Sequence, residues 1–147
     1  MIVCLFGIFS KRIKYFQQKL HHKNQTYDVA PPHDSTLPII HKVRLFHKDI
    51  YTIGHKLSKR DKLGIHQTVE NYSLRLLSLL VESAFSKRHD KLKTLEIARV
   101  HMEIIKNIIR TEYELTVIDE KTYIRLAKDT VEISKMLNGW ITYISKI

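Results

Sequence analysis

Nine histidines and one cysteine are the side chains in this 147-residue chain whose types most readily suggest metal or nucleophilic chemistry. A metal site needs three or four convergent ligands. No histidine here has that spacing with a carboxylate: His101 opens the run His-Met-Glu-Ile-Ile, which lacks the second histidine of a zinc-binding helix. His21-His22 stands in the amino-terminal stretch. Cys4 is alone, which excludes an intramolecular disulfide and a multi-cysteine zinc site. No metal or other cofactor is expected.

Two further patterns invite a catalytic reading. Arg60 and His66 stand at the spacing used by small helical ribonucleases resembling the HEPN group. Eight arginines, three allowed spacings and nine histidines give about 1.5 such pairs by coincidence, so one pair carries no weight. The pair also straddles a predicted break between helices. Glu112 and Glu114 are two apart, so on a helix they point away from each other and cannot work as paired carboxylates. Nucleophile elbows and phosphate loops are missing as well, and four glycines are too few for a Gly-rich cradle. A catalytic role is not expected.

The elements that must hold any site are helical. After Pro38 there is no proline. Ile39, Val43, Phe46, Ile50, Ile53 and Leu57 then recur at alternating steps of four and three, the seam of a bundle helix. Gly54 weakens that helix by about 1 kcal/mol relative to alanine. Lys59-Arg60-Asp61-Lys62 reads as a polar break, with Asp61 as the cap of the second helix. The second helix has the seam Ile65, Val69, Tyr72, Leu76 and Leu79, and a second line of Leu74, Leu77, Val81 and Phe85. The third repeats this double pattern, with Leu95, Ala98, Met102, Ile105 and Ile109 on one line and Ile97, Ile104, Ile108 and Leu115 on another. Asp119 caps the fourth helix, with Ile118 and Tyr123 placed as a hydrophobic staple; its seam is Leu126, Thr130, Ile133, Leu137, Trp140 and Ile144. The prediction is an all-α, antiparallel up-down-up-down four-helix bundle over residues 37–147.

Helices two and three carry more apolar surface than one seam requires. A four-helix bundle has no central helix, so the surplus at Leu74, Leu77, Val81, Ile97, Ile104 and Ile108 points outward. That predicts a homo-oligomer.

The chain is basic, with 25 Lys+Arg against 15 Asp+Glu, and therefore suits an anionic partner. Most of the excess from Leu37 onward lies in the first helix and the segment after it. Lys42, Arg44, Lys48 and Lys56 belong to the helix; Lys59, Arg60 and Lys62 follow. Lys121, Arg125 and Lys128 line the fourth helix, which neighbours the first in many bundles. These ten residues form the expected nucleic-acid-binding set, a backbone-tracking surface because aromatic side chains are not interleaved with it beyond Tyr51. Along the third helix Glu96, Arg99, Glu103, Lys106 and Arg110 alternate in sign, the pattern of intrahelical pairing.

Residues 1–36 read as an extension and linker. Met1–Phe9 is apolar but far shorter than the roughly 18 residues of a spanning helix. Its basic residues follow the apolar run instead of preceding it, so it does not read as a signal peptide. Ile8, Ile13, Phe16 and Leu20 could form one face of a short amphipathic helix. Pro31-Pro32 and Asp34-Ser35-Thr36 mark the linker.

The run Glu132-Ile-Ser-Lys-Met-Leu-Asn-Gly-Trp-Ile141 resembles the ending of the Avd proteins, the accessory variability determinants of diversity-generating retroelements. Ser58-Lys-Arg-Asp-Lys-Leu-Gly64 is similar to that family's Pro-Lys…Leu-Gly entry to the second helix, with Ser58 in place of the usual proline. Ile118-Asp-Glu-Lys-Thr-Tyr123 resembles its turn into the fourth. The resemblance implies a non-enzymatic, cytoplasmic accessory protein, a barrel-shaped homopentamer of four-helix bundles. Its partners would be a reverse transcriptase, the template RNA and the cDNA made from it. Gly139 would allow close packing and Trp140 would anchor the bundle end. A sister family encoded in ribosomal-RNA intervening sequences ends similarly in Met-Leu-x-Gly. Its usual Ile-Pro-Ser-Asn-Ile-Ala-Glu-Gly stretch is replaced here by Leu74–Phe85. That family leaves the alternative of a structural or RNA-binding bundle protein. Neither family motif assigns RNA contacts, so the ten basic residues rest on charge geometry alone.

Overall fold

The computed structural model describes residues 37–146, and the expectations for residues 1–36 lie outside them. The described residues contain four long helices and no strand: α1 (Pro38–Gly54), α2 (Gln67–Phe85), α3 (Arg88–Glu114) and α4 (Glu120–Lys146). Each packs on the next and α4 returns to α1, which makes a four-helix bundle.

Local chemistry explains the ends. Pro38 starts α1, where its missing N–H costs nothing. Asp119 accepts from the Thr122 N–H at 2.7 Å and caps α4 as predicted. Tyr123 stacks on Tyr113 at a ring separation of 4.6 Å. At the end of α3 Val117 N–H donates to the Glu112 carbonyl and Thr116 N–H to the Tyr113 carbonyl, both a Schellman closure. Thr116 occupies the left-handed position of that motif, with φ of 57°.

The first break differs from the prediction. Lys59–Asp61 is a short helix, and it leads into α2 through a π-helical turn, Lys62–His66, that is kinked at Gly64. The nonhelical link is therefore His55–Ser58. Ser58, not Asp61, is the cap: its Oγ accepts from the Asp61 N–H and donates to the Asp61 carboxylate.

The core lines of α1, α3 and α4 follow the predicted seams. Val43, Phe46, Ile50, Leu95, Met102, Ile105, Ile109, Leu126, Ile133 and Leu137 are buried. Each large aliphatic side chain there contributes about 1.5–3 kcal/mol by leaving water. In α2 the predicted seam holds in part. Val69, Leu76 and Leu79 are buried as expected, joined by His66, Ser73, Leu80 and Ser83, while Ile65 and Tyr72 are only half-buried. The two serines return their hydroxyls to the helix backbone, to the carbonyls of Glu70 and Leu79. Gly139 is exposed and a Cβ added there would meet nothing within 4 Å, so it mediates no close packing within the bundle. Trp140 is half-buried against the core.

Candidate nucleic-acid interface

Helices α1 and α4 do lie side by side, but their facing edges carry charges of both signs. The Lys42 ammonium reaches Asp129 at 2.8 Å and Glu132 at 2.7 Å, and Arg125 pairs with Asp49. Advancing along α1 from Lys42 to Asp49 means moving back along α4 from Glu132 to Arg125, so the two helices are antiparallel. The hydrogen bonds it donates to Asp129 and then to Glu132 hold the Lys42 pKa above its ordinary value. Two of the ten expected cations are thus engaged in the seam, where Asp49, Asp129 and Glu132 separate the basic residues of α1 from those of α4.

The remaining eight are differently placed. Arg44 hydrogen-bonds to His41 Nδ1 at 3.1 Å, one turn back on its own helix. Among the described residues, Lys48, Lys56, Lys59, Arg60, Lys62, Lys121 and Lys128 have no carboxylate at salt-bridge distance. All of these seven are exposed except half-buried Lys62. Lys56, Lys59, Arg60 and Lys62 cluster where α1 ends and the chain enters α2. The antiparallel seam places Lys121, in the first turn of α4, towards the same end. The third helix behaves as its sign alternation predicts: Glu96 pairs with Arg99, Glu103 with Lys106 and Glu114 with Arg110.

Underneath the cationic cluster is a polar joint that the sequence reading did not find. His66 and Glu112 are both completely buried. His66 Nδ1 is 2.8 Å from Glu112 Oε1, and Nε2 is 2.9 Å from the Ile50 carbonyl oxygen. The ring fills the space beside Gly54, where an added Cβ would lie 2.9 Å from its Cδ2. One side chain therefore ties the entry of α2 to both α1 and α3. Burial opposes a charge on this ring, but the Glu112 carboxylate and the Ile50 carbonyl outweigh it and raise its pKa above the ordinary value. Arg60 is exposed while His66 is sealed in with both nitrogens engaged, so the two do not form a surface acid–base pair. A pattern in the sequence does mark the joint: Glu112 stands three residues after Ile109, continuing the core line of α3.

Of the six residues expected to meet another copy, Leu74, Val81 and Ile97 are exposed, at 51%, 39% and 42%. Leu77, Ile104 and Ile108 are half-buried. Ile97 lines an open groove between the start of α3 and the end of α4, together with Leu92, Val100 and Ile144 and with Arg88 and Lys93 at its edge. Among the described residues no group of three or more His, Cys, Asp or Glu side chains could hold a metal ion, and no helix is long and apolar enough to cross a membrane.

These features define the class: a basic four-helix bundle with a buried histidine–glutamate joint at one end. Comparison of the chain with protein-family models and with curated proteins gives no match.

Proposed function

We propose that this protein is a non-enzymatic accessory factor of a diversity-generating retroelement, of the Avd kind that its carboxyl-terminal segment resembles. In this reading it binds template RNA through its cationic end and works beside the reverse transcriptase as a homopentamer in the cytoplasm. The observation that carries the reading is the cluster of Lys56, Lys59, Arg60 and Lys62 where α1 ends, exposed or half-buried and without carboxylate partners among the described residues, with Lys48 likewise unpaired further back on α1. Cations left unpaired on a folded surface are the groups that release counterions when phosphates approach. Exposed Leu74, Val81 and Ile97 support assembly with further copies.

The test is charge reversal. Replacing Arg44, Lys48, Lys59 and Arg60 by glutamate leaves the core untouched, since all four are exposed. RNA affinity at physiological salt is expected to drop by at least about a hundredfold, with a shallower salt dependence. The helical content and oligomeric state should be unchanged. Unaltered affinity would remove these residues from the interface. A reverse-transcriptase gene and a repeat pair are expected beside the gene for this protein; without them the retroelement assignment fails and the ribosomal-RNA-intervening-sequence alternative takes its place.

A further inference from the structure

The joint beneath the cationic cluster has a definite protonation requirement. A backbone carbonyl can only accept, so His66 Nε2, at 2.9 Å from the Ile50 oxygen, carries a proton. One more proton lies in the 2.8 Å contact between Nδ1 and Glu112 Oε1. The groups around the ring decide which side keeps it. Glu112 on α3 and Glu70 on α2 are the charged groups that bear on the ring, both acidic. On α1 the partner is the Ile50 carbonyl, and Asp61 of the short helix is turned to Ser58. Among the described residues no cation other than the imidazole lies at salt-bridge distance from Glu112, and its second oxygen has no hydrogen-bond partner there.

We infer that His66 is a buried imidazolium whose charge fastens the Lys59–Lys62 segment to α1 and α3, so that protonation of one side chain controls the polyanion-binding end of the bundle. This inference rests on the RNA-binding reading for its functional half only. When the ring loses a proton, a nitrogen lone pair faces either the carbonyl or the carboxylate, and Glu112 is left buried without a counter-charge. Both changes loosen the joint. The segment anchored by it carries Lys59, Arg60 and Lys62, which then lose their common placement.

The direction with pH follows from linkage. A folded-state pKa raised above the unfolded value gives stability that is fully present below the ordinary histidine range and lost as pH rises through the raised value. Lysine and arginine remain charged to about pH 9.5, so an alkaline loss of RNA affinity below that point is not a loss of the binding cations themselves.

The experiment uses the full chain with nitrogen-15-labelled histidine, and single-stranded poly(U) as the RNA probe. At about pH 7 both ring nitrogens of His66 should be protonated, with one proton lost only above the ordinary histidine range of about 6.5. The thermal midpoint and the poly(U) affinity should fall together over that same titration, the affinity by about fivefold or more. Glu112→Gln keeps the shape and removes the anion; the imidazolium signature should then disappear at neutral pH and the alkaline fall in midpoint with it. A wild-type ring carrying a single proton at neutral pH overturns the inference, as does a midpoint that is flat through the titration. Poly(U) affinity that stays constant while the midpoint falls overturns the control of the binding end. Absence of poly(U) binding at every pH strikes down the RNA reading, and the nitrogen spectrum and the midpoint decide the imidazolium joint separately.

Discussion

Gly54 looks like a weakness in α1, because glycine costs about 1 kcal/mol relative to alanine inside a helix. The His66 ring explains it. A Cβ at position 54 would stand 2.9 Å from a ring atom that is held by hydrogen bonds at both nitrogens and cannot swing aside. Gly54→Ala should therefore destabilise the bundle despite its better helix propensity, because overpacking typically costs about 1–3 kcal/mol. A lowered urea midpoint with an unchanged slope would show it; a raised midpoint would mean that the ring moves. His101 shows how much the partner matters. Burial, and then the charge of Arg75, lower its pKa, and its Nδ1 has no hydrogen-bond partner. Two histidines on neighbouring helices are thus driven in opposite directions, and only the one facing a carboxylate favours the charged form. Sequence reasoning found neither the joint nor its need for Gly54. Glu112 continues the core line of α3, but in the sequence a charged residue at that position reads as the end of the apolar pattern.

At the level of the helices, apolar period carried most of the information. The core lines of α1, α3 and α4 could be read directly because nearly all their members are Ile, Leu, Val, Phe or Met. In α2 the buried residues mix the predicted Val69, Leu76 and Leu79 with His66, Ser73 and Ser83, whose polarity hides them in the sequence, so the half-buried Ile65 and Tyr72 read as core in their place. The first break was misplaced for a related reason: Lys59–Lys62 is polar because it is an exposed helical entry, not because it is a loop. The α3–α4 turn yields a prediction. Thr116 sits at φ 57°, where a β-branched residue costs about 1–2 kcal/mol and glycine adopts the conformation freely. Thr116→Gly should raise the thermal midpoint by about 2–4 °C after glycine's own entropic cost is deducted. No rise would indicate that the Thr116 hydroxyl, bonded to the Leu115 carbonyl at 2.7 Å, offsets the strain.

For the molecule as a whole, the exposed apolar residues on α2 and α3 make a prediction about assembly. Leu74→Asp together with Ile97→Asp alters two positions that are about half exposed in the bundle, so a single copy should keep its helicity. If these residues meet another copy, sedimentation should show the variant shifting from oligomer to monomer, since a charge in an interface core costs several kcal/mol unless paired. Unchanged sedimentation would place the contact elsewhere. The candidate binding surface was readable from sequence as a charge excess, but not which cations remain unpaired. Lys42 and Arg125 meet carboxylates 87 and 76 residues away in the chain, at Asp129 and Asp49 among others, and such pairing depends on helix register that composition does not contain. The joint also has a meaning for synthesis. Ile50 lies 16 residues before His66, whereas Glu112 comes 46 residues after it. While the chain is emerging, the α1–α2 hairpin must carry an imidazole that still lacks its hydrogen-bonded carboxylate, with only the more distant Glu70 acting on it. The contact between His66 and Glu112 can close only when the last turn of α3 arrives, so the entry of α2 is fastened to α3 late in synthesis.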